Sequence, residues 1–177
     1  MKNPITKAFA FILGLFTFNA CANIPQGAVA VKHFDSERYL GKWYEIARFN
    51  FRFERGLNNT TANYSLNPDG SIRVENRGFD YVKKTWKKAV GKAKFATTPD
   101  EARLKVSFFG PFYGGYNVIA LDTAYQFALI AGSDLSYLWI LSREKTMPED
   151  VKQKYLDLAK KIGFNTDALL WVEHTGI

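Results

Sequence analysis

Between Gly41 and Arg143 the apolar residues recur at every second position, in short runs broken by turn residues. Ile72, Val74, Asn76 and Gly78 fall on one side of a run whose other side is Arg73, Glu75 and Arg77. Ala89, Gly91, Ala93 and Phe95 oppose Lys88, Lys92 and Lys94, while Leu104, Val106 and Phe108 oppose Arg103, Lys105 and Ser107. A period of two sends alternate side chains to opposite faces, so these runs read as strands with one apolar and one solvated face. Asn67-Pro68-Asp69-Gly70 and Thr97-Thr98-Pro99-Asp100 are turn sequences between them. The pattern predicts eight strands, near 41–50, 60–67, 72–81, 89–95, 104–108, 116–122, 126–132 and 137–143. Short strands joined by hairpins make an antiparallel meander. Eight of them close into an up-and-down barrel with room for one small ligand.

One helix follows. Thr146-Met147-Pro148-Glu149 reads as a capping box with proline in the first turn, and Gly163 as the C-cap. Val151, Tyr155, Leu158, Ala159 and Ile162 form an apolar stripe at helical spacing, expected to pack on the outside of the barrel. Residues 168–172 read as a short final strand. The fold expected is all-β, with one C-terminal helix and one added strand.

The N-terminus reads as an export signal. Lys2 and Lys7 precede or flank an apolar run from Ala8 to Phe18, too short to span a bilayer comfortably. It ends in Phe18-Asn19-Ala20-Cys21, and Cys21 is the single cysteine of the 177 residues. A small residue before a lone cysteine resembles a bacterial lipobox, in which the cysteine is lipidated and becomes the first mature residue. The expected organisation is a signal peptide at 1–20, a lipidated N-terminus and tether at 21–32, and a single domain at 33–177. Ala22 after the cysteine implies, by likeness to enteric lipoproteins, sorting to the outer membrane, facing the periplasm. A lone cysteine excludes an intramolecular disulfide and a cysteine-pair metal site. The net charge of +7 suits anionic lipid surfaces. No recognition-helix motif or clustered basic stripe points to nucleic acid.

Asp35, Tyr39, Gly41, Trp43, Tyr44 and Glu45 near the start, Asp122 and Tyr125 later, and Arg143 at the end of the last barrel strand resemble the three sequence motifs of the lipocalin family. The match runs from about Phe34 to Val172, and its longest runs resemble the bacterial outer-membrane branch. The resemblance implies that Arg143 lies against Trp43 at the closed base, beside Gly41. It also implies a carrier of hydrophobic molecules, with fatty acids or lysophospholipids as ligand, serving maintenance of the outer membrane under stress. In related lipocalins the positions of Tyr64, Asn76, Tyr116 and Trp139 line the pocket.

The residues speak to a pocket as well. Val74, Ala93, Val106, Phe108 and Val118 join those four on the expected inward faces. Small inward residues (Ala62, Gly78, Gly91, Ala93 and Ala120) leave room for an acyl chain, or else accommodate Trp43, Trp139 and Phe108 in a filled, purely structural barrel. Asn76 interrupts an apolar face, and a buried amide needs partners: Tyr64, Tyr116 or a ligand headgroup. Phe51, Phe53, Phe112 and Tyr113, with Arg52 and Arg55, form an aromatic and basic rim that suits either a phospholipid interface or a lid. His33 and His174 sit in no recognisable catalytic arrangement, and no HExxH or phosphate-binding loop is present. An enzyme is therefore not expected, a tyrosine-based isomerase in the cavity being the remaining catalytic option. No cofactor or metal is expected, and the chain is read as a monomer or homodimer.

Overall fold

Each period-two run becomes a strand, and the strands close on themselves. The computed structural model describes residues 23–175. It contains β1 (Gly41–Arg48), β2 (Leu57–Leu66), β3 (Ile72–Asp80), β4 (Thr85–Phe95), β5 (Arg103–Phe109), β6 (Phe112–Leu121), β7 (Phe127–Ala131), β8 (Leu138–Ser142) and β9 (Leu170–Trp171). Neighbours follow the order β2-β3-β4-β5-β6-β7-β8-β1-β9, and β1 also pairs with β2, so the first eight strands form a closed antiparallel barrel. Closure leaves no barrel strand with a wholly unpaired side. The short β9 pairs with β1 through Ala47↔Trp171 and Arg48↔Leu170. The loops at 49–56, 81–84, 110–111 and 132–137 share one end, the mouth; those at 67–71, 96–102 and 122–126 share the other, the base.

Several boundaries differ from the sequence reading. β2 begins at Leu57, β4 at Thr85 and β6 at Phe112, each earlier than expected. The ladder from Asp80↔Thr85 to Ile72↔Ala93 is unbroken, yet residues 81–90 are exposed on both faces. A strand wet on both sides carries no apolar alternation, so its first turn was invisible to the pattern.

The helix α2 (Glu149–Ile162) packs its Tyr155 and Ala159 against an outer-wall cluster that includes Ile46, Ala47, Leu129, Leu138 and Ile140. Tyr155 Oη donates to the Phe127 carbonyl at 2.9 Å. The expected capping box does not form. Pro148 occupies the N-cap without a side-chain bond, and the Thr146 carbonyl is taken by the Ser142 hydroxyl at 3.0 Å. Gly163 does cap the C-terminus, at φ +110°.

The base is plugged by a one-turn helix, α1 (Ser36–Tyr39), too short to show a period in the sequence. Asp35 Oδ1 accepts from the amides of Glu37 at 3.0 Å and Arg38 at 3.2 Å. The Arg143 guanidinium carbon lies 3.9 Å from the centre of the Trp43 ring. Its nitrogens donate to the carbonyls of Tyr125 (3.2 Å), Lys42 (2.9 Å) and Arg38 (2.8 Å). Gly41 has φ +89°, and a Cβ there would stand 3.4 Å from Arg143 Nη1. Trp43 is fully buried, its Nε1 donating to the Tyr39 carbonyl at 2.9 Å.

Removing these contacts with Arg143→Ala is expected to cost about 2–4 kcal/mol, from one cation–π contact and the hydrogen bonds of a charged donor. Urea unfolding should show a lower midpoint with little change in slope. Arg143→Lys should recover only a minor part, because an ammonium lacks the planar fork that reaches three carbonyls.

Candidate ligand-binding site

The lower half of the barrel is filled. Tyr39, Trp43, Tyr64, Ile72, Val118, Ile130 and Leu141 are buried there in one cluster. The Tyr116 hydroxyl bridges those of Tyr39 at 2.7 Å and Tyr64 at 2.8 Å. Burial pushes all three phenols upward, so they stay neutral and form a hydrogen-bonded floor. Of the nine expected pocket residues, Tyr64, Val74, Ala93 and Val118 belong to this closed floor, with Val74 and Ala93 only 3% and 2% exposed.

Above the floor the interior opens. Ala62, Asn76 and Ala89 stand side by side on β2, β3 and β4, and Val106 faces Gly114 across β5 and β6. Asn76, Val106, Phe108, Tyr116 and Trp139 are half-buried, and Ala89 and Gly114 are exposed although both point inward. A Cβ placed on Gly114 would meet open space. The Asn76 Oδ1 is buried and accepts no hydrogen bond from the protein, so the amide bonds neither Tyr64 nor Tyr116.

Three of the small residues do not widen this space. A Cβ on Gly78 would lie 2.9 Å from Thr60 Cγ2, and one on Gly91 would lie 2.9 Å from Phe108 Cδ1, so neighbours already occupy those gaps. Ala120 faces outward, because the register slips between Val118 and Ala120 and turns both Ile119 and Ala120 toward α2.

The mouth is irregular. The β4–β5 register ends at Lys92↔Ser107, leaving Thr85–Gly91 without a register partner on β5. A groove of about 470 Å³ marks this seam, with Phe108, Gly91 and Tyr113 among its walls. On the opposite side Phe51 is buried against Trp139 at 4.8 Å and Tyr137 at 5.0 Å between centroids. Phe53 and Phe112 stay in solvent, so the expected rim divides into one lid residue and exposed tips.

Sequence reasoning missed a charged cluster inside the wall. Plain alternation from Trp43 would turn Arg48 outward. A bulge between Glu45 and Ala47 instead places Ile46 and Ala47 on the outside and Arg48 inside, fully buried, opposite Trp139. Arg48 Nη1 donates to Glu45 Oε1 at 2.5 Å, and its Nε lies 3.7 Å from Glu54 Oε2. Glu45 also accepts from Thr60 Oγ1 at 2.9 Å, and Glu54 from Trp139 Nε1 at 3.3 Å. One cation faces two buried carboxylates. Burial pushes the Glu45 carboxyl up, and the Arg48 charge with the two short donors works against that. Glu54 is pushed up to about 8, by burial first and then by the charge of Glu45. No strand-alternation rule announces such a bulge.

Because the folded chain holds a proton on Glu54 that the unfolded chain releases near the ordinary value of 4.5, the stabilisation is complete below that value. It is lost as the pH rises toward about 8. Thermal unfolding should therefore show a falling Tm across this window, and Glu54→Gln should flatten that dependence.

A lipocalin-like domain family matches residues 34–174. The chain is 51% identical over 174 residues to the outer membrane lipoprotein Blc of Citrobacter freundii, covering 97% of this chain and 98% of that protein. It is 53% identical over 152 residues to outer membrane lipoprotein Blc of Escherichia coli (strain K12), covering 86% of each. The solved structure of insecticyanin from Manduca sexta shares the fold at a TM-score of 0.67 and 17% identity, over 87% of this chain and 88% of that one. With the closed barrel, the Trp43–Arg143 base and this extent of matching, the chain belongs to the lipocalin family.

Proposed function

We propose that the protein carries or stores a single-chain lipid, a fatty acid or a lysophospholipid, in the upper half of its barrel. In this reading residues 1–20 are removed and Cys21 bears the lipid anchor. The protein then sits in the bacterial outer membrane, facing the periplasm, and serves membrane maintenance. The observation that carries the reading is the inward-facing but unfilled level formed by Ala62, Asn76, Ala89, Val106 and Gly114 above a sealed floor. Apolar walls suit an acyl chain. The unbonded Asn76 Oδ1 accepts a hydroxyl such as that of a glycerol backbone or a protonated fatty acid. The names of the enterobacterial relatives agree with the membrane location. The occupied gaps at Gly78 and Gly91 favour a second reading, a structural barrel, only for the wall they border.

Organic extracts of the purified full chain, analysed by mass spectrometry, should contain about one lipid per binding unit, and a fluorescent fatty acid should displace it saturably. Gly114→Leu projects into open space, so it should fold normally and weaken binding by about tenfold or more through lost volume. Trp139→Ala should weaken it as well. A folded protein that binds no lipid at any concentration would make the filled barrel the better description.

A further inference from the structure

We propose that the mouth of the barrel is a membrane-docking face, held against the anionic phospholipid bilayer in which the chain is anchored. The proposal rests on the reading of Cys21 as the lipid-bearing residue.

The path of the N-terminal segment carries it. Residues 23–32, expected as a tether, lie along the barrel wall instead. The segment leaves the base where the Phe34 amide donates to the Asp100 carbonyl at 3.0 Å. It then passes between Val118 and Ala102, each bonded to Val31, at 2.9 and 2.8 Å. Pro25 and Ala30 are buried along the way. At its far end the Asn23 carbonyl accepts from Asn117 Nδ2 at 3.1 Å, and the same amide holds the Gly132 carbonyl at 2.9 Å. A Cβ on Gly115 would lie 2.9 Å from the Asn23 carbonyl and 2.7 Å from Ser133 Oγ. Asn23 therefore sits beside the 132–137 loop, at the mouth.

Covalent geometry does the rest. Cys21 is two residues before Asn23, a length of chain that spans at most about 7 Å. A strand of ten residues such as β6 is about 33 Å long. An anchor on Cys21 cannot reach a bilayer at the base while Asn23 stays docked, but it reaches one at the mouth directly. Phe112 lies three residues beyond Gly115 toward the mouth, about 10 Å, which brings the tip of the β5–β6 hairpin to the same surface.

That end is built for such a surface. Phe53, Val82, Phe109 and Phe112 are 63%, 74%, 81% and 78% exposed. Solvated apolar side chains of this size, grouped at one end, mark an interaction face. Arg52, Arg55, Lys83 and Lys84 surround them, all exposed. The acids nearby are mostly spent: Glu54 lies against Arg48, and Asp80 pairs with Lys87 at 2.8 Å, leaving Asp134 as the exposed acid of the mouth loops. The base loops instead carry Asp69, which pairs with Lys92, Asp100, which faces His33, and Glu101 and Asp122, with no Lys or Arg in these loops. A positive, apolar mouth facing away from an acidic base complements an anionic bilayer.

The test uses the full chain, exported so that Cys21 is processed and reconstituted in phosphatidylethanolamine vesicles containing phosphatidylglycerol. A fluorophore is placed at Val82→Cys, at Phe112→Cys, or at Thr123→Cys on the base, and quenched by lipids bearing a nitroxide high on the acyl chain. The mouth labels should be quenched about threefold or more beyond the base label, as expected for side chains at headgroup depth. Phe109→Asp with Phe112→Asp should slow uptake of a fluorescent lysophospholipid from the vesicles by about tenfold while leaving its binding from solution unchanged. Mass spectrometry of the N-terminal peptide separates the two readings. An acylated, vesicle-bound chain whose mouth labels stay as unquenched as the base label overturns the docking proposal and leaves the anchor intact. A Cys21 without acyl chains overturns the anchor and the docking proposal with it. If the two aspartates instead split a dimer in the absence of vesicles, with unquenched mouth labels, the face belongs to a second copy of the chain and the proposal fails.

Discussion

The guanidinium of Arg143 ties together three segments that are far apart in the chain. Through the carbonyls of Arg38, Lys42 and Tyr125 it joins the plug helix, the first barrel strand and the turn after the sixth. Its flat face covers Trp43. A sheet of eight short strands has two ends to seal, and among the described residues only one carries such a plug. Directly above this seal the interior is filled by the buried cluster of Tyr39, Trp43, Ile72, Val118 and Ile130. The phenol bridge of Tyr39, Tyr116 and Tyr64 adds a second, neutral layer over that seal. The ligand-sized space then lies entirely above these two layers.

How much of this was legible follows from what a period of two can report. Strands with one dry and one wet face, such as Ile72–Asp80, announced themselves. So did α2, by its stripe and Gly163. The first half of β4 did not, because at the mouth both faces touch water and no contrast survives. The plug helix was too short for any periodicity, and its Asp35 cap emerges only in the structure. Trp43 and Arg143 could be paired only through the resemblance to the lipocalin motifs, since a hundred residues separate them and neither is unusual alone.

The larger errors share one cause. A bulge inserts a residue and reverses every face assignment beyond it. At Glu45–Ala47 it turned Arg48 into the barrel, and at Val118–Ala120 it turned Ala120 out. Both slips lie in strands against α2, where the outer wall must present two consecutive apolar residues to the helix: Ile46 with Ala47, and Ile119 with Ala120. The helix thus determines which residues reach the cavity on the far side of the same strands. Burying Arg48 follows from that demand, and Glu45 together with the carbonyls of Glu54 and Leu57 offsets the cost of removing a charge from water.

The consequence is an interior of two characters. One flank of the mouth, below Phe51 and Trp139, carries a hydrogen-bonded charge cluster that is rigid because each member holds another. The other flank, where β4 parts from β5 above Lys92↔Ser107, lacks the ladder bonds that would hold it shut. Backbone ladders are what make a barrel wall stiff, so opening to admit a chain-like molecule costs least where they are already missing. For the ligand proposed above, a tail entering sideways along that seam meets Phe108 and Tyr113, while Lys92 and Ser107 border the outside of the groove. A barrel with eight fully paired strands would admit the same molecule only end-on.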